Sequence, residues 1–86
     1  MDLLERKLKA VANRKRLLIL RYLKRHHSAV VSDIAEGIDL SLKATSKHLQ
    51  ILRAADIVTT RKRGLFVTYR LKIPQETPVQ QLIGVL

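Results

Sequence analysis

At about residue 56 the hydrophobic period of this chain changes from helical to alternating, and that change restricts the fold more than any other feature. Before it come a short helical stretch, a tight turn and a longer helical stretch. Ser32 is placed to cap the short helix, with Asp33 in its first turn, Ile34 and Ala35 inward, and Gly37 as its stop. After Asp39 and Leu40, Ser41 caps a helix that extends to about Ala55. After the change, residues 57–60 and 66–71 are rich in β-branched and aromatic side chains. Lys62-Arg63-Gly64 lies between them, with the glycine supplying the turn, and Pro74 closes the hairpin.

Two further helices precede this unit. Leu4, Leu8 and Val11 form one stripe of a helix over residues 3–12, with Glu5, Arg6, Lys7 and Lys9 largely off it. Asn13 is an N-cap for a helix to about Arg25, whose broad apolar face (Leu17, Leu18, Ile19, Leu20, Tyr22, Leu23) suits the centre of a domain. In the tail, Thr77 can cap, Pro78 suits the first helical position, and Val79, Leu82, Ile83 and Leu86 fall at helical spacing. Gly84 weakens that last helix by about 1 kcal/mol relative to alanine. Eighty-six residues hold one core. The expected class is therefore mostly α with a small β-hairpin: a winged helix-turn-helix over residues 1–74, followed by a tail, 75–86, forming a short helix.

Charge narrows the function. Residues 1–40 carry nine basic and five acidic groups, residues 41–72 eight and one, and residues 73–86 a single acid, for a net charge of +10. A basic excess concentrated on the second half of a helix-turn-helix and on its hairpin is the electrostatic footprint of a nucleic-acid binder. At 100° steps the helix over 42–55 has a core side of Ala44, Thr45, Leu49, Ile51, Leu52 and Ala55. Its other side carries Leu42, Lys43, Ser46, Lys47 and Gln50, with Arg53 at the edge. The major groove admits one α-helix, and the N-terminal part of that helix meets the base edges. Ser46 and Gln50 can exchange hydrogen bonds with bases, Lys43 and Lys47 reach guanine acceptors or phosphates, and Leu42 suits a thymine methyl. His48 falls on the apolar side and is expected as a packed, hydrogen-bonded core residue.

Arg61, Lys62 and Arg63 form a basic wing suited to the minor groove or to phosphates, beyond what an edge hairpin needs to resist aggregation. Arg14, Lys15 and Arg16 put three cations at a helix N-terminus, where the dipole disfavours them. Either a phosphate relieves that conflict or the side chains extend into water.

The stretches "LKAVANRKRLLILRYL", "VSDIAEGIDLSLKATSKHLQILRAADIV" and "TTRKRGLFVTYRL", over roughly residues 8–72, resemble the arsenic-repressor-like (ArsR) family of winged-helix regulators. The resemblance implies a homodimer paired through the first and last helices on an inverted-repeat operator in double-stranded DNA. It implies recognition roles for Ser41, Leu42, Lys43, Ser46 and Lys47, and wing roles for Arg61, Lys62 and Arg63. The stripes Leu4/Leu8/Val11 and Val79/Leu82/Ile83/Leu86 suit such an interface; their alternative is packing within the monomer. The chain also departs from the family. Val31-Ser32-Asp33 stands where many members carry metal-sensing cysteines, and the chain has no cysteine. Arg14-Lys15 replaces a frequent Pro-Thr, and Asp33, Asp39, His26, His27 and His48 form no ligand set. No metal and no cofactor is expected, and any effector is left unspecified.

Other classes fit less well. Tyr22, Phe66 and Tyr69 are too few aromatics for an RNA-stacking platform. Glycine-rich phosphate loops and His–carboxylate pairings that would mark an enzyme are missing from the sequence. The run Leu17-Leu18-Ile19-Leu20 falls far short of a membrane span, and the start of the chain carries Asp2 and Glu5 rather than an apolar signal region, so a cytoplasmic location is expected. The reading is a sequence-specific transcriptional regulator acting as a repressor. Its alternatives are a protein-interaction module and a non-specific architectural DNA protein.

Overall fold

The computed structural model describes residues 2–86. Its elements are α1 (Asp2–Val11), α2 (Arg14–His26), β1 (Ala29–Val30), α3 (Val31–Gly37), α4 (Leu42–Ala54), β2 (Val58–Arg63), β3 (Phe66–Leu71) and α5 (Thr77–Gly84). Asn13 caps α2 as expected, its side-chain oxygen accepting from the Arg16 amide at 3.1 Å. Ile19, Leu20 and Leu23 of α2, Ile34 of α3, and Leu49 and Leu52 of α4 are buried together with Ile57 and Val58. The helical core is thus closed from below by the root of the hairpin. Fully burying each of these aliphatic side chains contributes roughly 1.5–3 kcal/mol, so a small number of them dominates the stability of so short a chain.

Several local details differ from the sequence reading. The sheet has three strands in the order β1-β3-β2, because Ala29 and Val30 pair with Tyr69 and Thr68. That pairing leads directly into α3, so Val30 takes the N-cap position without a side-chain bond and Ser32 lies inside the helix rather than capping it. Gly37 ends α3, but not through a left-handed backbone. A Cβ there would overlap the Tyr22 ring, so any larger residue would have to displace the ring that α2 packs against it. In the tail, Glu76 takes the N-cap position and Thr77 is already helical.

Lys7, expected on the outside of α1, is buried. Its ammonium group donates to Gln75 Oε1 at 2.9 Å and lies 3.2 Å from a Glu76 carboxylate oxygen. This contact anchors the start of α5 to the middle of α1. At its far end, α5 accepts a bond from Lys24 at the carbonyl of Gly84, 2.9 Å away. No helix among the described residues is long and apolar enough to cross a membrane.

Candidate nucleic-acid interface

The turn between α3 and α4 is made by Asp39 at φ 55°, a left-handed conformation that aspartate tolerates better than most side chains. The Leu40 amide donates to Ala35 O and the Ile38 amide to Ile34 O, both at 3.0 Å. The chain reverses there and delivers the first turn of α4 to the surface. Ser41 Oγ accepts from the Ala44 amide at 3.1 Å, which leaves its O–H free to donate outward. The first amides of any helix lack carbonyl partners and favour an anion in front of them.

Leu42, Lys43, Ser46, Lys47 and Gln50 line one shallow concavity on the outside of α4, while Thr45, Leu49 and Leu52 are buried behind them. Four of the five are exposed and Ser46 is half-buried. The strip therefore presents two ammonium groups, a hydroxyl, an amide and an apolar tip, and α4 contains no carboxylate. This donor set can address guanine acceptors, adenine edges, phosphates and a thymine methyl.

Two expectations for α4 are corrected. Ile51 is 41% exposed rather than in the core, and lines a groove with Arg6, Lys9 and Arg16. The buried arc of α4 is narrower than the apolar arc of its sequence, and α1 borders Ile51 through Arg6 and Lys9 without burying it. His48 is half-buried, but its Nδ1 has no hydrogen-bond partner. Burial holds its pKa below the usual histidine range, and the positive charges of Arg16 and Lys15 act in the same direction. The start of α2 therefore lies beside the middle of α4, with Arg14 exposed and Lys15 half-buried.

This arrangement predicts a pH dependence. The unfolded chain holds the His48 proton near the ordinary value of about 6.5, and the folded chain releases it more readily. The neutral imidazole's contribution to stability is complete above that value and is lost as pH falls toward the lowered folded value. Thermal melts from about pH 8 down to about pH 5 are expected to show a decline that His48→Gln reduces. An identical decline in the variant would assign the effect to other groups.

In the hairpin, Arg61 pairs with Thr68, Lys62 with Val67 and Arg63 with Phe66. Lys62 and Arg63 thus belong to β2 rather than to the turn. The turn is the two-residue pair Gly64-Leu65, with Gly64 at φ 58°, the placement of glycine found in type II′ hairpins. The sequence reading missed Leu65 as the outermost side chain. The signal was available, since a glycine in the first position of a two-residue loop makes its successor the tip. Arg61, Lys62 and Arg63 are all exposed.

The apolar stripes of α1 and α5 divide between two environments. Val11 lies in the chain's own core, and Val79 and Ile83 are buried because α5 folds back against α2. That removes them from any surface open to a second molecule. Leu82 and Leu86 are half-buried against the core, Leu4 is half-buried, and Leu8, Leu3 and Val85 are exposed. Among the described residues no cluster of three His, Asp or Glu side chains is placed to hold a metal ion.

Residues 13–60 match the model of the family described as bacterial regulatory protein, arsR family. The nodulation protein NolR of Rhizobium meliloti is 44% identical over 62 residues, which cover 72% of this chain and 50% of NolR, so the chain spans half the length of that relative. The transcriptional activator HlyU of Vibrio cholerae is 38% identical over 79 residues, covering 92% of this chain and 69% of HlyU. The homodimeric winged helix-turn-helix DNA-binding domain of Mb0332 from Mycobacterium bovis, solved in solution, superposes with a TM-score of 0.82 at 31% identity. It covers 98% of this chain and 74% of that domain.

Proposed function

Because the chain belongs to the arsR family of bacterial regulatory proteins, a family of winged helix-turn-helix transcription regulators and not of enzymes, we propose that it represses transcription as a homodimer on a two-fold symmetric site in double-stranded DNA. The observation that carries this reading is the outer strip of α4, where Leu42, Lys43, Ser46, Lys47 and Gln50 stand together on a helix that has no acidic side chain.

In this reading residues 1–74 form the DNA-binding unit and α5 completes the dimerisation surface. Helix α4 enters the major groove. Gln50 and Ser46 read base edges, Lys43 and Lys47 donate to guanine or phosphate, and Leu42 lies against a methyl group. Ser41 donates its hydroxyl to the backbone at the helix start. The wing, through Arg61, Lys62 and Arg63, lies on the minor groove or its flanking phosphates, and Arg14 and Lys15 add phosphate contacts beside α4. The two protomers meet through the outer face of α1 (Leu4 and Leu8) and the outer edge of α5 (Leu82 and Leu86). Occupancy near a promoter then excludes polymerase. The Mb0332 domain, homodimeric and DNA-binding, supports both halves of the proposal.

The test is a titration of the purified protein against fragmented genomic DNA and a random duplex at several salt concentrations. The reading requires a subset of fragments to stay bound at salt that releases the random duplex. Equal, wholly salt-labile binding to all of them identifies an architectural DNA protein instead.

A further inference from the structure

The wing ends in an apolar point. Leu65 is 98% exposed and Phe66 67%, and Val67 beside them is also exposed. Single exposed aliphatic residues are ordinary. Three in succession are not: Leu65 fills a place in a two-residue turn ordinarily taken by Gly, Asn, Asp or Ser, and Phe66 and Val67 follow it at the start of β3. Strand β1 pairs only with Thr68 and Tyr69, so the hairpin beyond them stands clear of the sheet. The point is nonetheless held firmly. All six residues of β2 are paired with β3, and the Thr68 hydroxyl donates to Arg61 O at 3.3 Å.

Cross-strand partners share a face of a hairpin. Arg63 therefore stands beside Phe66 on one face, and Lys62 beside Val67 on the other. Each face of the tip carries a cation next to an apolar side chain, with Leu65 foremost between them. We propose that this tip is a wedge: Leu65 inserts at a base step of the minor groove while Arg63 and Lys62 hold the phosphates of the two opposite walls, so that the bound duplex is bent. This inference rests on the reading of α4 and the wing as a DNA interface.

Cations on both faces of a single-layer hairpin suit a groove with two anionic walls better than a flat anionic surface, which one charged face would serve. Apolar side chains that enter the minor groove unstack a step and kink the helix toward the major groove. The cost falls on pyrimidine–purine steps least. Binding sites are therefore expected to place TA or CA steps where the wing lands.

The experiment uses the full chain and a duplex that it selects from a random-sequence pool, end-labelled for energy transfer and carrying 2-aminopurine at the pyrimidine–purine step. The unaltered protein is expected to bend this duplex by about 20–90° and to raise the 2-aminopurine fluorescence. Leu65→Ser, a change at a 98% exposed position, is expected to keep the circular dichroism of the unaltered chain, to bind roughly tenfold more weakly and to lose both signals, and Leu65→Met to retain them. A straight duplex in the wild-type complex, or unchanged bending by Leu65→Ser, overturns the wedge while leaving the DNA reading standing. If the wild-type chain binds no duplex, both fall. If Leu65→Ser instead loses binding to phosphatidylserine vesicles and bends DNA normally, the tip faces lipid and the wedge is overturned.

Discussion

Replacing Lys43 and Lys47 together by alanine is expected to weaken duplex binding by roughly 30- to 700-fold per half-site, from about 1–2 kcal/mol for each lost contact. Both side chains are exposed on α4 and neither takes part in a hydrogen bond or ion pair within the described residues. Fold and melting temperature should therefore change little, since surface substitutions away from such partners cost about 0.5 kcal/mol or less. The manner of the loss is informative. A lysine on a phosphate contributes about 0.9 to the slope of log K against log salt, so its removal flattens that slope and weakens all sequences alike. A lysine on a guanine edge contributes to discrimination, and its removal brings selected and random duplexes closer together. Unchanged affinity with an intact fold would remove α4 from the interface.

Leu4→Lys combined with Leu8→Lys is expected to make the chain sediment as a monomer in place of the proposed dimer and to lower DNA affinity by about 10²–10⁴-fold. The second effect follows from the first. A dimer that engages one half-site holds its other α4 at a high effective concentration over the second, and a monomer has no such advantage. Leu8 is exposed and Leu4 half-buried, so long lysine side chains can carry their charges out to water in the monomer. Deleting residues 78–86 is a poorer experiment, because it also removes Val79 and Ile83 from the chain's own interior. A dimer of undiminished DNA affinity in the double-lysine variant would place the interface elsewhere.

Much of this fold was legible because its decisive signals are local. Asn13 and Ser41 cap helices within their own first turns, at 3.1 Å in each case, and such bonds depend only on neighbouring residues. The hairpin announced itself by a change of period. What was not legible depends on distant partners. Ala29 and Val30 are too few to show a period, and they become a strand only because Tyr69 and Thr68 lie beside them. Ser32 was displaced from its expected cap by that same pairing. Lys7 reads as a surface lysine, yet it is buried by Gln75, whose position 68 residues away no local pattern encodes. Gly37 was identified as a stop, but its reason is the Tyr22 ring on another helix.

The same division applies to the candidate site. The strip on α4 could be assigned from helical angle alone, because its five residues share one face and its capped start is encoded by Ser41. The dimer stripes could not, because helical spacing shows that Val11, Val79 and Ile83 are apolar but not whether their own chain or a second one covers them. His48 illustrates a third case. Its place on the apolar side was correct, but the sequence did not show that Nδ1 would be left without a partner beside Arg16.

The proposed complex seats α4 in the major groove of two half-sites while the wing meets the minor groove. Dimethyl sulfate probes both contacts at once, since it methylates guanine N7 in the major groove and adenine N3 in the minor groove. On a duplex selected by the full chain, two patches of protected guanine N7 are predicted, with centres about 10 base pairs or a multiple of that apart. Protected or hyper-reactive adenine N3 should lie where the wings land. Full guanine reactivity throughout a saturated complex would exclude this arrangement, because no helix could then be seated in the major groove.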